Sequence, residues 1–170
     1  MTKRLTRLLI AASLAAHGSF ALAHGDALSH AGHDSALGQP GNPEQISRTV
    51  EITMSDSMRF SPARVSVYRN ETIRFVLKNE GKLKHEMVLG TPQHLRQHAA
   101  MMLKFPDMQH TDPNQASVLP GGTAELVWQF TQAATLAFAC LQPGHNEAGM
   151  KGQVVVRAAT PAKTRGGDEH

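Results

Sequence analysis

The chain has 170 residues, 41% of them hydrophobic, with 17 Lys and Arg against 14 Asp and Glu and a formal charge of +3. That size suits one modest domain with tails. Its basic balance gives no argument for nucleic-acid binding, because Lys3, Arg4 and Arg7 lie in a segment read below as removable, and 17 − 3 = 14 basic residues then face 14 acidic ones. The one cysteine, Cys140, excludes an intramolecular disulfide and points to a thiol with a task or to an intermolecular bridge.

Residues 1–23 read as a secretory signal: the basic start is followed by a mostly apolar run from Leu8 to Ala16 and by Ala21-Leu22-Ala23, a small-x-small cleavage site. The run is shorter than the roughly 20 residues of a membrane span, and His17 and Gly18 interrupt it. The chain is therefore expected in the periplasm, with no membrane anchor after cleavage and no lipid anchor, since no cysteine stands at the cleavage site. Residues 24–47 read as a flexible arm rich in Gly, Ala, Ser and His, with Pro40 and Pro43 and no apolar period.

From Arg48 the pattern becomes that of strands. Thr49–Met54 and Arg64–Tyr68 alternate polar and apolar residues, Ile73–Leu77 is denser, and Met87–Leu89 ends at Gly90. Thr91-Pro92 predicts a helix start, with Thr as N-cap, and helix-compatible residues run to about Lys104. Phe105 to Ser117 reads as loop. Strands resume at Ala124–Phe130, with Leu126, Trp128 and Phe130 on one face, then at Leu136–Cys140 and Gln153–Arg157. A tail, 159–170, is polar and expected to be disordered. About seven short strands separated by turn signals predict an all-β antiparallel sandwich over 48–158, with an insert at about 91–117.

The strongest chemical signal is the segment Cys140-Leu-Gln-Pro-Gly-His145-Asn-Glu-Ala-Gly-Met150. It puts a thiolate, an imidazole and a thioether on one loop between two strands, where all three can face one point. Such soft donors suit copper cycling between Cu(I) and Cu(II), and two histidines, one cysteine and a weak axial Met make the electron-transfer geometry. The second histidine must come from elsewhere, and His85, just before Met87–Leu89, fits. An isolated Cys140 would read as an inert buried thiol. Zinc also takes cysteine and histidine, but a thioether is a poor zinc ligand.

With these residues in view, 48–157 resembles a cupredoxin. Met58-Arg-Phe-Ser-Pro62, Val65-Ser-Val67, Glu71-Thr-Ile-Arg-Phe75 and His85 are similar to the first half of that family, and Phe138-Ala-Cys140 through His145 and Met150 to Gly152-Gln-Val154 is similar to its copper loop. The C-x4-H spacing is similar to azurin and auracyanin rather than plastocyanin. The insert and the His-rich mature start resemble proteobacterial copper-tolerance cupredoxins. The resemblance implies a Greek-key β-sandwich, one type 1 copper near one end, His145 as the electron port, and an apolar docking patch of Leu141, Pro143 and Met87. It also marks two departures. Azurins and plastocyanins usually carry Asn after the first ligand His, and Ser or Thr after the ligand Cys, to brace the copper loops. Here those positions are Glu86 and Leu141, so the surroundings of the ligands must differ.

Two further groups can bind additional copper. On a helix, His94, His98 and Met101 share a face, with Met102 nearby and Met108 and His110 following. The favoured reading of this helix instead packs Leu95, Ala99, Met102 and Leu103 on the sandwich and leaves His94 and His98 in water, because a helical Met stripe is usually packing. In the arm, cleavage after Ala23 would make His24 the first residue, and its amine and imidazole, with His30 and His33, can chelate Cu(II) weakly. The function expected is a one-electron carrier in copper tolerance, working with a redox partner protein. The alternative is a periplasmic copper chaperone or store working with a copper donor or acceptor. An enzyme is not expected: a copper oxidase or nitrite reductase needs a further catalytic copper with several His ligands, and no second set of strong ligands stands out.

Overall fold

The computed structural model describes residues 37–105 and 112–158. The signal, the arm to residue 36 with His24, His30 and His33, the segment with Met108 and His110, and the tail 159–170 lie outside these residues. The described part is ten strands and one helix. β1 is Gln39–Pro40, β2 Arg48–Ser55, β3 Arg59–Ser61, β4 Arg64–Tyr68, β5 Thr72–Asn79 and β6 His85–Gly90. Helix α1, Pro92–Lys104, follows, then β7 Gln115–Val118, β8 Thr123–Gln129, β9 Ala134–Ala139 and β10 Lys151–Arg157. One sheet has the order β1-β8-β5-β2-β3 and the other β4-β10-β9-β6-β7. β2 runs parallel to β5 and β4 parallel to β10, and the other pairings are antiparallel.

Alternation decides which side of each strand is buried. In β5, Ile73, Phe75, Leu77 and Asn79 point inward, and in β8 Leu126 and Trp128 do so, followed by Phe130 just beyond the strand. These side chains meet Val65, Val67, Leu136, Phe138, Val154 and Val156 of the second sheet in one core. Phe60 of β3 and Phe138 of β9 join the sheets edge to face, with ring centroids 5.1 Å apart, a preferred aromatic geometry.

The predicted strands all form, and three more appear. β1 and the residues around it correct the reading of 24–47 as a flexible arm, because residues 37–47 are part of the sandwich. Leu37 is buried, its carbonyl accepts from the Trp128 indole N–H, Gln39 and Pro40 pair with Gln129 and Trp128, and the Gly41 N–H donates to Val127. A single leucine without apolar neighbours leaves no period to read, yet the buried indole needs an acceptor. β7 corrects the loop expected to reach Ser117: it is an edge strand on β6, and only Val118 in it is buried.

Helix α1 begins as predicted, with the Thr91 hydroxyl accepting from the His94 N–H and Pro92 at its start. Its inward stripe is Leu95, His98 and Met102, at i, i+3 and i+7. His98 therefore does not face water, and Leu103, a quarter-turn past the stripe, is exposed rather than packed.

Leu37→Ala is expected to lower the unfolding free energy by about 2 kcal/mol, read from a urea titration followed by Trp128 fluorescence. A change under about 0.5 kcal/mol, the size of an ordinary surface substitution, would return residues 37–47 to the status of an arm.

Candidate metal centre

Strand β9 ends at Ala139, which pairs on one side with Val88 of β6 and on the other with Lys151 of β10. The loop 140–150 springs from this ladder and is pinched at its base, where the Cys140 N–H donates to the Met150 carbonyl at 3.0 Å. Inside the loop the His145 N–H donates to Gln142 and the Met150 N–H to His145, both at 3.0 Å. These bonds bring the cysteine, the histidine and the methionine of the loop back toward one another. Gly149 closes the turn with φ of +103°, and a Cβ there would lie 2.8 Å from Arg59 Nη1. That guanidinium donates to the carbonyls of Met58 and Ala148, at 2.7 and 3.0 Å, and so ties the loop to the start of β3.

His85 opens β6 at the same end of the sandwich. Its Nδ1 lies 3.2 Å from Nδ1 of His145, and Cys140 Sγ lies 3.3 Å from that same nitrogen. The three donor atoms fall within 4.8 Å of one another, and among the described residues this is the only such group of three or more His, Cys, Asp and Glu side chains. Cys140, His85 and Met150 are fully buried, and His145 is half-buried.

The ring nitrogen of His85 that faces away from the cluster, Nε2, lies 3.0 Å from Asp56 Oδ1. An ionised carboxylate only accepts, so Nε2 is the donor in this bond, and Nδ1 is the nitrogen turned toward His145 and Cys140. The Lys82 amide, with those of Leu83 and the His85 ring, holds the Asp56 carboxyl below its usual value. Burial pushes the Cys140 thiol up to about 11, although the backbone N–H groups of Glu86 and Gln142 donate toward it. Burial and repulsion from His85 hold the His145 imidazole below its ordinary value. Without metal at neutral pH the pocket thus holds a protonated thiol beside the neutral imidazole of His145. A soft metal that binds the thiolate fits these donors.

Glu86 answers the question raised by its replacement of the usual Asn. It is buried, its Oε1 accepts the Leu141 N–H at 3.1 Å, and its Oε2 accepts from the Gln142 side-chain amide at 3.1 Å and the Ser117 hydroxyl at 3.3 Å. One carboxylate therefore braces β6, β7 and the residue after Cys140. Leu141 instead packs with Val88, Leu95 and Ala139 beneath α1. Sequence reasoning missed Asp56, Arg59 and the bracing by Glu86, because each acts across a long stretch of chain and no local pattern marks it.

On α1, the rings of His94 and His98 lie 6.3 Å apart, His94 Nδ1 is buried against Gly90 without a hydrogen-bond partner, and Met101 is exposed. The expected docking patch also changes: Met87 and Leu141 are buried, and only Pro143 of the three is exposed. Exposed apolar side chains beside this end include Leu83 and Leu119, and Leu103 of α1 lines a cavity with Pro143.

A two-sheet sandwich that gathers buried cysteine and methionine and a half-buried histidine from the β9–β10 loop, and a second, buried histidine from β6, has the architecture of a cupredoxin. The family model for copper binding proteins of the plastocyanin/azurin family matches residues 47–157, and the chain belongs to that family. A Rubrivivax gelatinosus protein described as copper-resistant cuproprotein CopI is 52% identical over 141 residues, covering 83% of each chain. One of the same description from Pseudomonas aeruginosa is 39% identical over 154 residues, covering 74% of this chain and 84% of that one. Auracyanin B shares the fold with a TM-score of 0.61 at 22% identity, over 73% of this chain and 96% of that structure. The cofactor that the family and the donor set define is copper.

Two predictions follow from the site chemistry. Because the thiol is protonated when free and must bind as thiolate, loading at pH 8 should release about one proton per copper, and apparent affinity should fall about tenfold for each pH unit lowered. Calorimetry in buffers of different ionisation enthalpy measures this, and zero release would place Cys140 outside the coordination. Glu86→Ala leaves the buried Leu141 N–H without an acceptor and should cost about 1–3 kcal/mol of stability, with faster copper loss. Glu86→Gln keeps an acceptor for that N–H and should recover most of it, both read by thermal unfolding.

Proposed function

We propose that the protein is a periplasmic one-electron carrier in copper tolerance, holding one type 1 copper through His85, Cys140 and His145 with Met150 as axial ligand. The observation that carries this reading is the unequal burial of the donors: His85, Cys140 and Met150 have no exposed surface, and His145 alone is half-buried. A deeply enclosed metal is retained, while a ring at the surface gives an electron a short way out. Bound copper supplies a Cu(I)/Cu(II) couple. The chain's part is to keep the thiolate dry, to fix the tautomer of His85 through Asp56, and to hold the loop through Glu86 and Arg59, so that little rearranges when the charge changes.

Leu83 and Leu119, 47% and 68% exposed, flank this end, because Asn79 Nδ2 donates to the carbonyls of Leu83 and Val118. With Pro143 they offer an apolar rim on which a redox partner can dock around His145. The placement in copper tolerance draws on the descriptions of the Rubrivivax and Pseudomonas relatives, and the periplasmic location on the signal pattern of residues 1–23. A chaperone or store is the weaker reading, since handing over copper would require a partner to reach donors that lie beneath the surface.

The test is the visible and EPR spectrum of the Cu(II) protein, followed by voltammetry and by copper transfer to a Cu(I) chelator. Intense thiolate-to-copper absorption that Cys140→Ser abolishes, a reversible one-electron wave and slow transfer are expected. Fast transfer without a reversible wave would reverse the ranking in favour of the chaperone.

A further inference from the structure

We propose that Asp56 is a positioning residue for the copper centre: its carboxylate locks His85 in the Nε2–H tautomer and biases the site toward Cu(II). This rests on the copper reading above and goes beyond it to a residue that touches no metal donor atom.

The tether is built from several independent parts. Asp56 lies in the turn between β2 and β3, on the opposite sheet from His85. Its Oδ2 accepts the Lys82 N–H at 2.7 Å, and its Oδ1 accepts the Leu83 N–H at 3.2 Å as well as the bond from His85 Nε2 at 3.0 Å. The turn 80–84 is shaped to receive it. Asn79 Oδ1 accepts the Gly81 N–H, and a Cβ on Gly81 would sit 2.0 Å from Asp56 Oδ1. Glycine at 81 is thus required by the carboxylate, and the carboxylate by two backbone amides and one ring.

The chemistry follows from the bond. His85 is fully buried, so its ring nitrogens feel few partners besides Asp56 on one side and the donor cluster on the other. A carboxylate on the far nitrogen of a ligand imidazole fixes its tautomer and raises its basicity. A more basic imidazole stabilises the higher charge of Cu(II) more than that of Cu(I), which lowers the reduction potential. The couple exchanges one electron with the external redox partner, and the Nε2 proton stays between His85 and Asp56 in both states.

Asp56→Asn keeps an oxygen for His85 and Leu83 but removes the charge, so it should raise the potential while the fold stands. Asp56→Ala removes both and should also weaken copper binding about 10- to 100-fold. Gly81→Ala should imitate Asp56→Ala by displacing the carboxylate. Glu80→Gln removes a charge from the same turn without a bond to His85 and controls for a general field effect. Two measurements are made. In the metal-free protein, the 15N shifts of His85 should show one Nε2–H tautomer, mixed in Asp56→Ala and Gly81→Ala and unchanged in Glu80→Gln. In the copper protein, a redox titration should place Asp56→Asn above the parent, each 59 mV being a tenfold loss of Cu(II) preference for a one-electron couple. An unmixed tautomer in Asp56→Ala, or equal potential shifts in Glu80→Gln and Asp56→Asn, overturns the proposal. Absence of thiolate-to-copper absorption in the parent would instead overturn the copper reading, and the metal-free tautomer measurement would still judge the tether.

Discussion

The register of β9 is the constraint on which the site depends. Ala139 pairs with Val88 on one side and with Lys151 on the other, so the position of the next residue, Cys140, is set by two ladders at once. A slip of one residue along either would turn the thiol to the opposite face of the sheet. The same two pairings bring the start of β6, and with it His85, to the end of the sandwich from which the loop springs. The Cys140–Met150 backbone bond then closes an eleven-residue path between adjacent strand ends. Metal chemistry is thereby placed on the most regular part of the fold, with only the short loop left to be shaped locally.

What shapes the loop is charge as much as packing. A buried carboxylate is costly unless its oxygens are hydrogen-bonded, and both oxygens of Glu86 are, to groups from β7 and from the loop. It therefore works as a clamp whose removal strands donors on both sides. Asp56 does the corresponding work for His85 from the opposite sheet, and the Arg59 guanidinium bridges β3 to Ala148. Each of the two sheets thus holds the loop or its partner histidine through a charged side chain. A ligand set supported from both sides would resist the change in preferred coordination that accompanies a change of copper charge, as the proposed carrier role requires.

The parts of this arrangement that were legible in the sequence are those with a local signature. Cys140, His145 and Met150 lie within one loop, the strands carry their period of two, and Thr91-Pro92 marks the start of α1. His85 was found by elimination, as a histidine opening an apolar strand. The support of the site was not legible, because its contacts span the chain: Asp56 is 29 residues from His85, and Glu86 is 55 from Leu141. Glu86 looked like the loss of a brace when judged by residue type, since only the structure shows that its carboxylate reaches the loop backbone. Leu37 was missed for a related reason. One buried leucine makes no period, and its significance lies in the Trp128 indole it caps.

The burial of the donors bears on how such a site would be filled as well as on the proposed exchange of electrons. Before metal arrives the thiol is protonated and buried, a poor nucleophile and a poor first contact for an ion in solution. His145 is the donor that reaches the surface, and its imidazole, held below its ordinary value by burial, is neutral at neutral pH. It would therefore be the natural first ligand, and Cys140 would have to give up its proton to bind copper. On the proposed reading the reverse path would be slow, since a buried Cys140 thiolate would have to regain its proton before copper could leave. The proposed carrier role asks for slow exit and an exposed electron path together, and one geometry would serve both: the half-buried His145 imidazole stands between the buried donors and the solvent.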